Sequence, residues 1–435
     1  MRPPGRAARA RGVIAARAVG APLGMTLGLA LAAAACGGKP PLEAEVILRH
    51  GAIQTGAGLV TALAVKDGLV IAAGSGDAVD RHRGPKTIEF DLGGAAVVPG
   101  ARVPLADPAL IGERLLNEAS GGDEYLDLSD AQSEEDAVQR ARARARALEP
   151  GGWVLGRDWD QTRWVQARLP DKRLISDIVG ANPVLFVRRG GRTGWVNKTA
   201  LDRAGLQGEG LVEGEALLTV LRRVAPLSSE ERQKGLLAAL EQAAGLGITE
   251  VQAIASSGRL GLRDPQAGEE AVLGPWRALA RSGRLPMRVA LLLPAPGAAA
   301  EAVLSHGAVA DGDPARVTLR LLLDPALAAA AGGWCARAKS AAIDVVFASG
   351  ADADALQAAE AACRAGGAAP PQVLPSLPPV ADQWAAPHRE ADAGRALTAG
   401  EKADFVLLAA PPGADGAIKV RSTWVGGREV YRRPG

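Results

Sequence analysis

Val317-Thr-Leu-Arg-Leu-Leu-Leu323 decides the fold class of this chain, because it is a short β-rich run standing between two alanine-rich helical stretches. The same kind of run recurs on both sides of it. Upstream are Met287-Arg-Val-Ala-Leu-Leu292, Ile248-Thr-Glu-Val-Gln252, Pro183-Val-Leu-Phe-Val-Arg188 and Trp153-Val-Leu-Gly-Arg157, and downstream is Ile343-Asp-Val-Val-Phe347. Strands alternating with helical stretches argue for βα units and a parallel sheet or barrel. The helices include Ser133–Leu148 and Ser228–Ala244, both with acidic first turns that suit the helix dipole.

Further outward the pattern changes. Glu45–Arg49, Val60–Val65, Leu69–Ala73 and Thr87–Asp91 are short strands separated by turns such as Lys66-Asp67-Gly68, which predicts a small antiparallel sheet. Ala403–Leu408, Ser422–Val425 and Arg428–Tyr431 repeat that pattern at the other end, so the two ends are expected to pair into one β-domain. Hydrophobic residues make up 48% of the chain while aromatics supply only 3%, so this is a folded protein whose core is mainly Ala, Leu and Val.

Residues 1–35 contain Arg2, Arg6, Arg9, Arg11 and Arg17 and no acidic residue, and they run into the weakly polar stretch Gly20–Ala35. This reads as an export leader. Removing its five arginines from a net charge of +2 leaves the rest slightly acidic, with no Lys/Arg footprint for nucleic acid. Leu31-Ala-Ala-Ala-Ala-Cys36 resembles a bacterial lipobox, with Ala33 where leucine is usual and Cys36 as the acylated first mature residue. The expected location is a membrane surface, outer membrane or cell surface, reached through a lipid anchor; periplasmic or secreted protein is the alternative. Cys335 and Cys363 then sit where disulfides persist, and they read either as a bridge or as two small buried hydrophobes.

Several segments together resemble the amidohydrolase superfamily, in particular the amidohydrolase-3 family of metal-dependent hydrolases. They are Val46–Gly51 through Val97-Val-Pro-Gly100, Trp153-Val-Leu-Gly-Arg-Asp-Trp-Asp160, Leu169-Pro-Asp171, Trp195-Val-Asn197 with Ala200-Leu201, Gly247-Ile-Thr249, Leu323-Asp324 and Gly400–Leu407. The resemblance implies a TIM-like (β/α) barrel in residues 99–393, after the leader 1–35, with a small β-sandwich assembled from 36–98 and 394–435. It also implies divalent metals, such as zinc, held at the C-terminal ends of barrel strands to activate water against C–N bonds.

Position by position, the implied ligands are missing. The two histidines of the first strand fall on Leu105 and Asp107, with Pro104 in the strand itself. The histidine preceding Trp-Val-Asn falls on Arg192, that of the Gly-Ile-Thr strand on Gln252, and the carboxylated lysine on Arg320, four residues before Asp324. Leucine has no lone pair to offer, and a guanidinium stays protonated. Val345–Gly350 lacks the next histidine, and Ala348–Ala393 is too short for the last barrel strands. The four histidines of the chain, His50, His82, His306 and His388, align with no ligand position and read as surface or loop residues.

The expectation is therefore a shortened, degenerate barrel without a metal or other cofactor: a pseudoenzyme. Its former metal positions would be lined by Asp107, Arg192, Gln252, Arg320 and Asp324. Arg192 and Arg320 could then hold a small anionic ligand by bidentate contacts, the plainer reading being that they pair with those aspartates or with solvent. An active hydrolase of C–N bonds working through an unrecognised site, and a decayed remnant without independent function, are the alternatives.

Overall fold

Four largely apolar strands, the proline-containing edge strand Ala101–Ala106 and the short Gln372–Val373 curl together into a parallel sheet. In the computed structural model, which describes residues 41–306, 316–348, 353–369, 371–377, 382–384, 396–410 and 418–434, its order is Gln372–Val373, Asp344–Phe347, Val317–Leu323, Arg288–Ala295, Ile248–Ile254, Ala101–Ala106. Every neighbouring pair is parallel. Six strands among the described residues make a half-barrel, where a complete (β/α) barrel has about eight. Pro104 lies in Ala101–Ala106, which pairs on one side only, with Ile248–Ile254. An edge strand tolerates the missing N–H.

The outer face of this sheet forms the main core. Val251, Val289, Leu291, Leu321 and Phe347 pack against Leu240, Trp276, Val303, Cys335 and Cys363 from the flanking helices. The alanine-rich helices Ala328–Ser340 and Ala353–Ala365 lie side by side, joined by a Cys335–Cys363 disulfide with Cα atoms 5.2 Å apart. Among the described residues no helix is long and apolar enough to cross a membrane. The leader with Cys36, and His388, lie outside the described residues.

The chain ends build the sandwich. Phe405–Leu408 pairs antiparallel with Ala96–Pro99 in a six-stranded sheet, and a four-stranded sheet built on Val46–Arg49 and Ala62–Lys66 packs on it. Between them Phe405 stacks on Trp424 at 5.5 Å, and Phe90 meets the same ring edge-on. A buried bidentate pair locks sandwich to half-barrel: Arg288 Nε donates to Asp404 Oδ2 at 2.7 Å and Nη2 to Oδ1 at 3.1 Å. The Val-Pro-Gly motif has a steric cause, since a Cβ on Gly100 would come within 2.2 Å of the Thr249 side chain.

One expectation is corrected. The runs beginning at Trp153 and Pro183 do not extend the barrel. Val154–Trp159 and Val184–Arg188 belong to a separate five-stranded sheet with Leu126–Asp127, Thr193–Val196 and Leu211–Glu213, inserted between the first and second half-barrel strands. The physical reason is the turn at Gly190-Gly191, whose φ of 91° and 73° reverses the chain tightly. Thr193–Val196 therefore returns antiparallel, a direction that a parallel barrel does not accommodate. Trp159, Trp164, Trp195 and Phe186 fill one side of this sheet with centroid separations of 5.6–6.3 Å.

Candidate functional site

Alternation along the half-barrel strands puts Gln252 and Ile254, Ala290 and Leu292, Arg320 and Leu322, and Asp344 and Val346 on the face turned away from the helices. At the C-terminal end of that face Leu105, Ile254, Leu292, Val346 and Leu374 form one buried cluster, with Leu322 and Leu377 against it. One layer deeper, Arg320 Nη1 donates to Gln252 Oε1 at 3.1 Å, and Arg320 Nε lies 3.8 Å from an Asp344 carboxylate oxygen.

A divalent metal does not fit these residues. Leu105, Ile254, Leu292 and Val346 offer aliphatic carbon, the Asp107 carboxylate is held by Arg263, Asp324 is exposed, and the Gln252 amide oxygen is engaged by a guanidinium cation. Among the described residues no group of three or more His, Cys, Asp or Glu is placed to hold a metal ion. His50 faces Asp91 on the surface, His82 bonds the Leu42 carbonyl and His306 bonds Glu269, all away from this layer.

The five residues expected to line a common pocket do not converge. Asp107 is buried and caps the helix Pro108–Ala119 through Leu110 N, and it forms an ion pair with Arg263 at 3.0 Å. Gln252 and Arg320 are bound to each other in the half-barrel, and Asp324 is exposed and accepts from Ala326 N. Only Arg192 lines the large cleft. The correction has a topological cause: Arg192 sits on the hairpin of the inserted sheet rather than at the end of a half-barrel strand.

That cleft, of about 1430 Å³, runs between the inserted sheet, the helix Pro108–Ala119 and the Leu260–Arg263 segment after the second half-barrel strand. On its floor lies Arg157, which sequence reasoning passed over as part of a motif. A register shift between Arg157 and Trp159 leaves Asp158 at φ 65°, and such a bulge re-aims the neighbouring side chain. The Arg157 side chain is 10% exposed and lies 5.8 Å from the Tyr125 ring centroid; its Nε donates to Asp158 at 2.9 Å. Burial works against the Arg157 charge, but the adjacent Asp158 carboxylate holds it, and the net is a raised pKa. Burial likewise raises the Tyr125 phenol. At the rim stand Arg188, Arg189 and Arg192, whose clustering around Gly190-Gly191 is the one trace of this site in the sequence, a trace that sequence reasoning did not use.

Behind the cleft wall Glu113 is buried and its pKa is pushed up by desolvation. Both its oxygens accept from Leu260 N, at 3.0 and 2.8 Å, and so hold a leucine whose φ is 58°. It anchors a loop.

Residues 119–372, more than half of the chain, match the family model described as the amidohydrolase family. The chain belongs to that family. Protein LONG AFTER FAR-RED 3 of Arabidopsis thaliana is 28% identical over 239 residues, covering 49% of this chain and 39% of its own length. A Bacillus subtilis (strain 168) protein provisionally named as an amidohydrolase, YtcJ, is 27% identical over 207 residues, covering 43% and 38%. The matched part thus spans about two fifths of either relative. Among solved structures, an uncharacterized metal-dependent hydrolase of Pyrococcus horikoshii superposes with a TM-score of 0.55 at 20% identity, covering 75% of this chain and 69% of that one. At that identity the likeness is one of fold.

The amidohydrolase motifs that remain in this chain are structural ones. Trp195 Nε1 donates to the Asp171 carbonyl of Leu-Pro-Asp, and Trp159 Nε1 to the Phe186 carbonyl. Asn197, fully buried, accepts from Val184 N and Ala200 N and donates to the Val179 and Asn182 carbonyls.

Proposed function

We propose that this chain is a catalytically silent member of the amidohydrolase family, exported and held at a membrane surface through an acylated Cys36, with a binding role in place of hydrolysis. The observation that carries the reading is the aliphatic layer of Leu105, Ile254, Leu292, Val346 and Leu374 at the strand ends, where the family's chemistry needs metal donors. Without a Lewis acid or an activated water, amide hydrolysis loses both its nucleophile and its carbonyl polarisation. The surviving Trp and Asn contacts support a maintained fold rather than a decayed chain.

Two measurements on the full chain test this. Purified protein supplemented with zinc is expected to turn over no N-acyl amino acid or simple amide above background, and turnover abolished by a chelator would overturn the silent reading. Cells expressing the chain are expected to incorporate labelled palmitate into it and to lose the label on Cys36→Ala; an unlabelled wild-type chain would remove the anchor from the account.

A further inference from the structure

We propose that the cleft between the inserted sheet and the half-barrel binds a small organic anion, a carboxylate or a phosphate ester, with Arg157 as the floor donor and Arg189 and Arg192 at the rim. This deepens the binding role inferred above, and it moves that role away from Arg320.

The cleft floor carries a donor without an acceptor. Arg157 Nη1 is buried with no hydrogen-bond partner among the described residues, while the same guanidinium lines the cleft floor. A buried guanidinium N–H left unmatched is unfavourable, and an acceptor entering from the cleft removes that penalty. The positive-φ Asp158 and the bulge beside it are the local distortion that places the side chain there, and such distortion concentrates at ligand sites.

Charge bookkeeping points the same way. Six arginines line the cleft against four carboxylates, of which Glu118 is paired with Arg114 at 2.7 Å and Asp158 with Arg157, while Glu213 accepts from the Thr193 hydroxyl at 2.6 Å and Asp127 from Ser129 N at 2.9 Å. Arg263 is held by Asp107. Arg189 and Arg192 line the cleft with no carboxylate at ion-pair distance among the described residues, which leaves the rim positively charged. Planar forks at floor and rim suit the bidentate geometry of carboxylate and phosphate oxygens. The volume exceeds that of a typical small-molecule site, about 300–1,000 Å³, so the occupant is an organic anion rather than a bare inorganic ion.

The test is calorimetry and thermal melting of the full chain with citrate, glycerol 3-phosphate and inorganic sulfate at matched ionic strength. Citrate or glycerol 3-phosphate is expected to bind saturably and raise Tm, and whichever does so assigns the carboxylate or the phosphate class. The Arg189→Ala/Arg192→Ala double variant, which removes two exposed side chains, is expected to weaken binding at least tenfold with Tm in the absence of ligand unchanged. Arg157→Lys is expected to weaken it while Tm without ligand changes little, and Arg320→Ala to leave it unchanged. The proposal is overturned if neither organic anion binds saturably, if the rim double variant binds as the wild type does, or if sulfate binds equally well, which would mean an adventitious ion only. Should Arg157→Lys fail to fold, the rim variant alone decides. Binding and turnover are read separately, so the failure of one leaves the other measured.

Discussion

Glu113 shows how one side chain ties the fold to the neighbourhood of the cleft. Its two oxygens share the Leu260 amide, with Arg259 Nε 3.8 Å away, in a site that excludes solvent. Desolvation raises its pKa, so ionisation disfavours the folded state. A group raised on folding contributes stability that is fully present below its unfolded pKa, about 4.3, and lost as pH rises through the folded value. Urea titrations between mildly acidic and mildly alkaline pH are therefore expected to show the wild type losing stability relative to Glu113→Gln as pH rises. A difference that stays constant, or grows in favour of the wild type, would contradict this. Arg157 makes a different point at the same scale. Leu105 and Gln252 stand out in the sequence because the resemblance implies a ligand at each of those positions. Arg157 does not, because its role follows from the bulge at Asp158, and bulges leave no periodic trace.

Among the elements, the half-barrel strands and the sandwich were legible because apolar runs and turn signals carry them. The pairing of the two chain ends followed from matching strand patterns, and the register Phe405↔Pro99 and Val406↔Val98 realises it. The inserted sheet was not legible as a separate body. In sequence its strand Val184–Arg188 is as apolar as Val317–Leu323, and only the Gly190-Gly191 turn distinguishes a hairpin from another βα crossover. The helices Ala328–Ser340 and Ala353–Ala365 illustrate a second limit. Half alanine, they bury little side-chain area per residue, and the Cys335–Cys363 bond across 28 residues compensates by restricting the unfolded chain. Replacing both cysteines by alanine is expected to lower unfolding free energy by about 3–4 kcal/mol, read from urea denaturation under non-reducing conditions. A change under about 1 kcal/mol would show that the helix packing alone holds this side of the core.

For the whole molecule, specific buried contacts hold the architecture together: Asn197 bonds Val184 N and Ala200 N, Trp195 reaches Asp171, and Arg288 locks onto Asp404. Leu105, Ile254, Leu292, Val346 and Leu374 form an apolar plug on the sheet face that also carries the Gln252–Arg320 pair. The central claim is that this plug replaces a metal centre, and elemental analysis of the purified full chain, grown with zinc, iron and manganese supplied, tests it most directly. The account predicts metal far below one equivalent per chain and a Tm that a chelator does not change; stoichiometric metal whose removal lowers Tm would contradict it.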